Sequence, residues 1–238
     1  MNNTVRNLKK KFFDIFIKYS CYLILIFIST DSFGDLQNEK LWLDLNSNGN
    51  LFNNKKILYW VDEQLRLINH ANYYEHNNLQ GGLGYQFLDN LSLWGGYQWN
   101  SKNQFTGSAA ENRTWQQAIW DVVNNQQVYF STRTRLEQRE RTDQTQWANR
   151  LRERLTLKFP HKIAQKFTPV IFDELFFNLN KPHWTSDHTF SQNRAFVGID
   201  IPAGKKNFFE IGYLNQYLIQ NKENEIDHIL YLSFSINT

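Results

Sequence analysis

Apolar and polar residues alternate with period two along most of the chain, and turn-forming residues bound each alternating run, the pattern of antiparallel strands. Leu41, Leu43 and Leu45 alternate with Trp42 and Asp44, and Ile57, Tyr59, Val61, Leu65 and Leu67 with Asp62, Gln64 and Arg66. Leu79, Leu83, Tyr85 and Phe87 lead through Leu88-Asp89-Asn90 into Leu91, Leu93, Gly95, Tyr97 and Trp99, which reads as a hairpin. Trp115 to Val123 turns at Asn124-Asn125 into Val128, Phe130, Thr132, Thr134 and Leu136. Leu151, Leu155, Leu157 and Phe159 alternate with Arg150, Arg152, Arg154 and Lys158. The runs Phe167 to Asn178, Phe190 to Ile201, Phe208 to Leu218 and Ile226 to Ile236 complete a set of eleven.

The expected fold is all-β, a single antiparallel up-and-down transmembrane barrel. Bacterial barrels ordinarily have an even strand count, so ten or twelve strands are expected, with one run split, missed or misread. Short links at Asp89-Asn90, Asn124-Asn125, Pro160 to Ala164 and Pro202 to Lys206 alternate with longer ones at Ser101 to Asn112, Leu179 to Asp187 and Ile219 to Glu225. Such alternation matches short periplasmic turns and longer external loops, with Thr142 to Thr145 a short exception. Pro169 falls within a run, where it requires an edge or bulge position.

The N-terminus has a different character. A basic region, Met1 to Lys18, precedes the uncharged core Tyr19 to Ile28, which is too short for a membrane helix and suited to a secretory signal. Ser32-Phe33-Gly34 places small residues for cleavage before Asp35, so 1–34 is expected to be a cleavable signal peptide and 35–238 the barrel. Cys21 is the sole cysteine and lies in that signal, so the exported chain is expected to contain no disulfide or thiolate site. The expected destination is the outer membrane of a Gram-negative bacterium after Sec-type export, with outer-membrane lipid and the barrel assembly machinery as partners.

Charge changes the picture in one place. The chain carries 26 basic and 23 acidic residues, and the basic excess lies in the N-terminal segment, so no nucleic-acid partner is expected. Arg133, Arg135, Glu137, Arg139 and Arg141 recur at spacing two, as do Arg150, Arg152 and Arg154, so each set shares one strand face. With Thr142 to Thr145 as the turn, Arg133 lies across from Arg154, Arg135 from Arg152 and Glu137 from Arg150. Like charges opposite one another destabilise a sheet, and near mid-bilayer a lipid-facing arginine costs about 2–4 kcal/mol, so this row must face inward. Glu63, Asp173 or Glu174, and Glu210 are candidate carboxylate partners, with the phase of Asp173 and Glu174 ambiguous.

Two roles compete for this Arg ladder. One is a salt-bridge network filling a narrow lumen; the other is a porin-like path for small anionic solutes. A helical alternative for Arg139 to Lys158 follows from Trp147, Leu151 and Leu155 at i, i+4 spacing.

The chain resembles the uncharacterised bacterial family called domain of unknown function 2490. The resemblance rests on Gly84-Tyr85, Gly96-Tyr97, Glu111-Asn112-Arg113-Thr114-Trp115-Gln116-Gln117, Arg135-Leu136-Glu137-Gln138-Arg139 and Arg150-Leu151-Arg152. Asp173 to Asn178, Gln192-Asn193-Arg194 with Gly198, and Gly212 to Tyr217 follow in order, from about Trp42 to the end. The resemblance implies export and a small outer-membrane barrel, and supplies no catalytic residues. Many such barrels end in an aromatic residue that the assembly machinery reads, whereas this chain ends Ser233-Phe234-Ser235-Ile236-Asn237-Thr238, with Phe234 displaced from the terminus.

Enzyme chemistry is not expected. His183, Ser186, Asp187 and His188 share one loop, but no Gly-x-Ser-x-Gly elbow or His-Glu-x-x-His pattern occurs, and no metal or cofactor is expected. Gly81-Gly82-Leu83-Gly84 reads as a bulge, bend or close-packing site within a strand. The eight tryptophans are expected mostly in interfacial girdles, with Trp60, Trp94 and Trp120 in the inward phase. The functional expectation is a small outer-membrane barrel whose lumen is lined by Arg133, Arg135, Glu137, Arg139, Arg150, Arg152, Arg154, Glu174, Arg194 and Glu210. The alternatives are a soluble periplasmic β-barrel binding protein, with apolar side chains inside, and an outer-membrane lipid-modifying hydrolase.

Overall fold

The computed structural model describes residues 36–52, 54–68, 73–102, 109–160 and 166–238. The expected signal peptide and Cys21 lie outside the described residues, as do most of the Pro160 to Ala164 turn and the centre of the Ser101 to Asn112 link.

Eleven strands close into one barrel: β1 (Leu36–Asn50), β2 (Ile57–Ile68), β3 (Tyr73–Leu88), β4 (Leu91–Lys102), β5 (Ala109–Asn124), β6 (Tyr129–Arg141), β7 (Ala148–Lys158), β8 (Thr168–Asn178), β9 (Phe190–Pro202), β10 (Phe208–Leu218) and β11 (Glu225–Asn237). Each alternating run of the sequence becomes one strand, and Arg139 to Lys158 forms two strands and a turn instead of charged helices. The even count does not hold. Every sequential pair is antiparallel, but β1 and β11 pair in parallel, from Leu36 opposite Glu225 to Asn48 opposite Asn237, and this seam lets an odd number close.

The β6–β7 register places Arg133 opposite Arg154, Arg135 opposite Arg152 and Glu137 opposite Arg150, as the turn position requires. Pro169 is the second residue of β8, beyond the last residue paired with β7, so its missing N–H interrupts little of the ladder.

The odd count puts the two ends of the barrel wall on opposite rims. One rim carries the links 89–90, 125–128 and 203–207, the facing ends of β1 and β2 and of β7 and β8, and the end of β11. The other carries the links 142–147, 179–189 and 219–224, the facing ends of β2 and β3 and of β4 and β5, and the start of β1. They are called the turn rim and the loop rim below.

Polarity is inverted relative to a water-soluble barrel. Arg135, Glu137, Glu174 and Asp227 are at most 1% exposed, while Leu83, Val197 and Leu230 on the outer face are 50–61% exposed. The interior also holds an apolar cluster of Trp42, Val170, Phe172, Phe196, Leu214 and Ile229, built from β1 and β8 to β11. Barrels of about eight strands are just filled by ordinary side chains, so eleven strands enclose a wider space that requires large ones.

Paired glycines accommodate two of these large rings. Gly82 and Gly96 face each other on β3 and β4, and a Cβ on either would collide with the Trp115 indole. Gly198 and Gly212 face each other on β9 and β10 beneath Phe196 in the same way. These glycines are required by close packing, not by backbone conformation. Gly96→Val is expected to destabilise the barrel by about 1–3 kcal/mol through overpacking, read as a lower urea midpoint. Gly95→Val, whose Cβ would meet nothing nearer than 4.0 Å, leaves that midpoint unchanged.

Candidate functional site: the arginine-lined lumen

Alternation in β6 and β7 aims two rows of guanidinium groups at the barrel axis, and β6 itself, β8 and β5 supply the carboxylates that hold them. Glu137, fully buried on β6, is the first hub. Its Oε2 accepts from Arg150 Nε at 2.9 Å and Nη2 at 2.6 Å, and its Oε1 accepts from Arg152 Nη1 at 2.6 Å. Glu174 on β8 is the second hub. Its Oε1 accepts from Arg152 Nε at 3.1 Å, Arg152 Nη2 at 2.8 Å and Arg133 Nη2, while Arg194 Nη1 stands 3.9 Å from its Oε2. Arg152 therefore bridges both carboxylates.

Aromatic faces complete the packing. Phe176, fully buried, has the guanidinium carbons of Arg150, Arg152 and Arg194 within 4.7–4.9 Å of its ring centroid. Arg135 lies 4.3 Å from the Trp115 ring centroid, and reaches across the lumen to donate to Gln80 Oε1 on β3 at 3.2 Å. Trp42 lies beneath Arg66 at 3.7 Å and Arg194 at 5.0 Å. Such stacked cations retain favourable electrostatic contact where no anion is available.

Nearer the loop rim, Glu111 on β5 accepts from Arg139 in bidentate fashion, at 2.7 and 3.2 Å, and from Arg113 Nε at 2.6 Å. Trp184 of the 179–189 loop lies 5.1 Å over Arg139, anchored by an Nε1 hydrogen bond to the Gln146 carbonyl. Lys40 binds Asp227 at 2.9 Å and Glu225 at 3.3 Å across the seam, and Glu75 on β3 at 3.1 Å. Nearer the turn rim, Glu210 lies opposite Asp200, whose carboxylate takes Lys158 at 2.7 Å.

These groups surround a cavity of about 850 Å³. Its lining includes Thr185 and Asn221 from the loop rim and extends to Lys158 and Phe208 at the opposite strand ends.

The expected lumen residues Arg133, Arg135, Glu137, Arg139, Arg150, Arg152, Arg154, Glu174, Arg194 and Glu210 all face this interior. Glu210 joins the Asp200 and Lys158 group, forming no ion pair with the arginines. The ambiguity on β8 resolves to Glu174, because Asp173 faces out and accepts from Asn193. Glu63 is not an inward partner: its neighbour Asp62 occupies the inward phase, and Glu63 accepts from Asn77 on the outer face.

Trp120 is likewise outward, 49% exposed, because the inward phase of β5 runs through Glu111, Arg113, Trp115 and Gln117. Trp42 and Trp115 are fully buried in the lumen and so belong to no outer girdle, whereas Trp99, Trp120 and Trp147 are exposed on the outside.

Sequence reasoning missed Lys40, Arg66, Glu111 and Arg113. A period-two count would have found the last two, since they share the phase of Trp115 at spacing two. Lys40 acquires meaning only from the β1–β11 pairing. In the 179–189 loop, Ser186 Oγ accepts from the His188 backbone N–H, and His183 Nδ1 faces Gln146 Oε1 at 3.4 Å. Among the described residues no group of three or more His, Cys, Asp and Glu could hold a metal ion.

The sequence matches the family described as protein of unknown function (DUF2490) over residues 39–227. It is also 31% identical to an uncharacterized protein of Methylorubrum extorquens over 84% of this chain and 88% of that protein. No solved structure matches it.

Removing one partner of a buried ion network leaves uncompensated charge at a cost of about 3–5 kcal/mol. Glu137→Gln is therefore expected to lower the unfolding midpoint in urea by that equivalent, since Arg150 and Arg152 lose the anion they share. Asp143→Asn, at the exposed Arg141 pair of the loop rim, leaves the midpoint unchanged.

Proposed function

We propose that this chain, which belongs to the DUF2490 family of proteins of unknown function, is an outer-membrane barrel whose arginine-lined lumen is a narrow path for small anions. The observation that carries the reading is the inverted polarity of the wall. Buried carboxylates and guanidinium groups inside, with half-exposed leucines, valines and aromatics outside, suit a barrel solvated by lipid and disfavour a soluble binding protein.

Strand length agrees. A tilted strand crosses the hydrocarbon layer in about 9–11 residues, and the shortest strands here have 11. Phe234 points outward near the turn rim and packs on Phe209 at 4.5 Å, a position from which the assembly machinery could read it. Sec-type export would deliver the chain to that machinery.

The preference for anions follows from imbalance. Among the described residues of β6 to β9, Arg133, Arg135, Arg150, Arg152, Arg154 and Arg194 have Glu137 and Glu174 as their inward carboxylates, because Asp200 is taken by Lys158, and the cavity runs beside them. A network serving stiffness alone would be balanced there, whereas surplus guanidinium lowers the barrier for an entering anion.

The chain should fractionate with outer-membrane vesicles and migrate faster on gels unheated than boiled; recovery of native protein in osmotic-shock fluid would remove the membrane placement. In planar bilayers under a KCl gradient, the reversal potential is expected to have the sign of chloride selectivity. Absence of conductance, or cation selectivity, would remove the path.

A further inference from the structure

Two arginine pairs face each other directly across β6 and β7, and only in one do both members reach a carboxylate within ion-pair distance. Arg135 and Arg152 share Glu137, at 3.9 and 2.6 Å, and Arg152 also holds Glu174. Arg133 and Arg154 form the next pair toward the turn rim, and of these only Arg133 reaches a carboxylate, Glu174.

Arg154 has no hydrogen bond and no carboxylate within 4.0 Å among the described residues, although Glu174 is its direct neighbour on β8. The Glu174 Oε1 is already occupied by three donors from Arg133 and Arg152. Glu210 lies beyond ion-pair distance against Asp200. The Arg154 guanidinium instead lies 3.6 Å over the Phe172 ring, with its Nε buried and unpartnered; the Arg133 Nε is buried and unpartnered too. Both residues line the cavity.

Two adjacent cations in a partly dehydrated lumen, one of them feeling Glu174 and Glu210 only from beyond ion-pair distance, repel each other unless a further anion comes between them. Arginine presents a planar fork suited to phosphate and carboxylate oxygens, and Phe172 fixes the Arg154 fork from behind. The geometry points to a binding site for a phosphate-type oxyanion at Arg154, with Arg133 beside it. Its multiple charge matches the surplus of this wall better than chloride does. The site rests on the reading of the lumen as a water-accessible anion path and names where in that path the solute halts.

The test is calorimetric titration of the purified chain in detergent micelles with inorganic phosphate, against chloride at matched ionic strength. Saturable phosphate binding is expected, weakened by roughly tenfold or more in Arg154→Gln, the loss of a charge-assisted hydrogen bond. Arg154→Lys should retain part of the affinity as a point charge, and Arg141→Gln at the rim all of it. Gel mobility before and after heating verifies that each variant is folded. No saturable binding by the parent chain, or unchanged affinity in Arg154→Gln, overturns the site. Bilayer conductance separates the two readings: phosphate binding without conductance upholds the site and removes the path, while anion-selective conductance without phosphate binding upholds the path and removes the site.

Discussion

An eleven-strand barrel encloses more space than aliphatic side chains can fill, and the structure answers that constraint with arginine. Glu137 and Glu174 anchor guanidinium groups arriving from β6, β7 and β9. Without these two carboxylates the long side chains would repel one another, and the wall would lose the contacts that span its interior. The dependence runs outward as well. Charges can occupy the inside only because the leucines and valines of the same strands occupy the outside, so one phase of alternation fixes lumen and exterior together.

The lumen is not uniform. One sector, lined by β5 to β9, carries most of the arginines; another, from β8 through β11 to β1, is padded with Phe172, Phe196, Leu214 and Ile229. Trp42 and Phe176 lie where the sectors meet and present ring faces to Arg194 from both sides. The apolar sector pads one side of the interior and the charged sector lines the other, and the cavity between them draws its lining from every strand, Trp42, Phe172 and Leu214 of the apolar cluster included. The paired glycines contribute by recessing the wall beneath Trp115 and Phe196, so that indole and phenyl rings fit without pushing strands apart.

Much of this was legible in the sequence because period-two alternation is local. Each strand run, and the β6–β7 register, follow from residues within one hairpin. What was illegible is non-local or depends on phase. Nothing in β1 or β11 alone announces that they meet in parallel, so an even number was favoured over the eleven runs within the expected ten to twelve, and Lys40 was passed over. In Phe172-Asp173-Glu174-Leu175-Phe176 both phases place aromatic or apolar residues on each face, so only the neighbouring Arg154 and Arg194 decide which carboxylate turns inward. Trp120 misled because a tryptophan amid polar neighbours looks the same from either side of the wall.

The parallel seam has a consequence for how the barrel is completed. Parallel ladders are slightly less stable per residue than antiparallel ones, and this one is reinforced by side chains: Asn38 donates to Glu225 and Asp227, Ser233 to Asp44, and Lys40 grips Asp227. Because β1 and β11 run the same way, no hairpin can deliver one to the other. The final act of closure must be the lateral docking of two strands distant in the chain, which makes this polar-stitched line the place where the finished cylinder would first unzip.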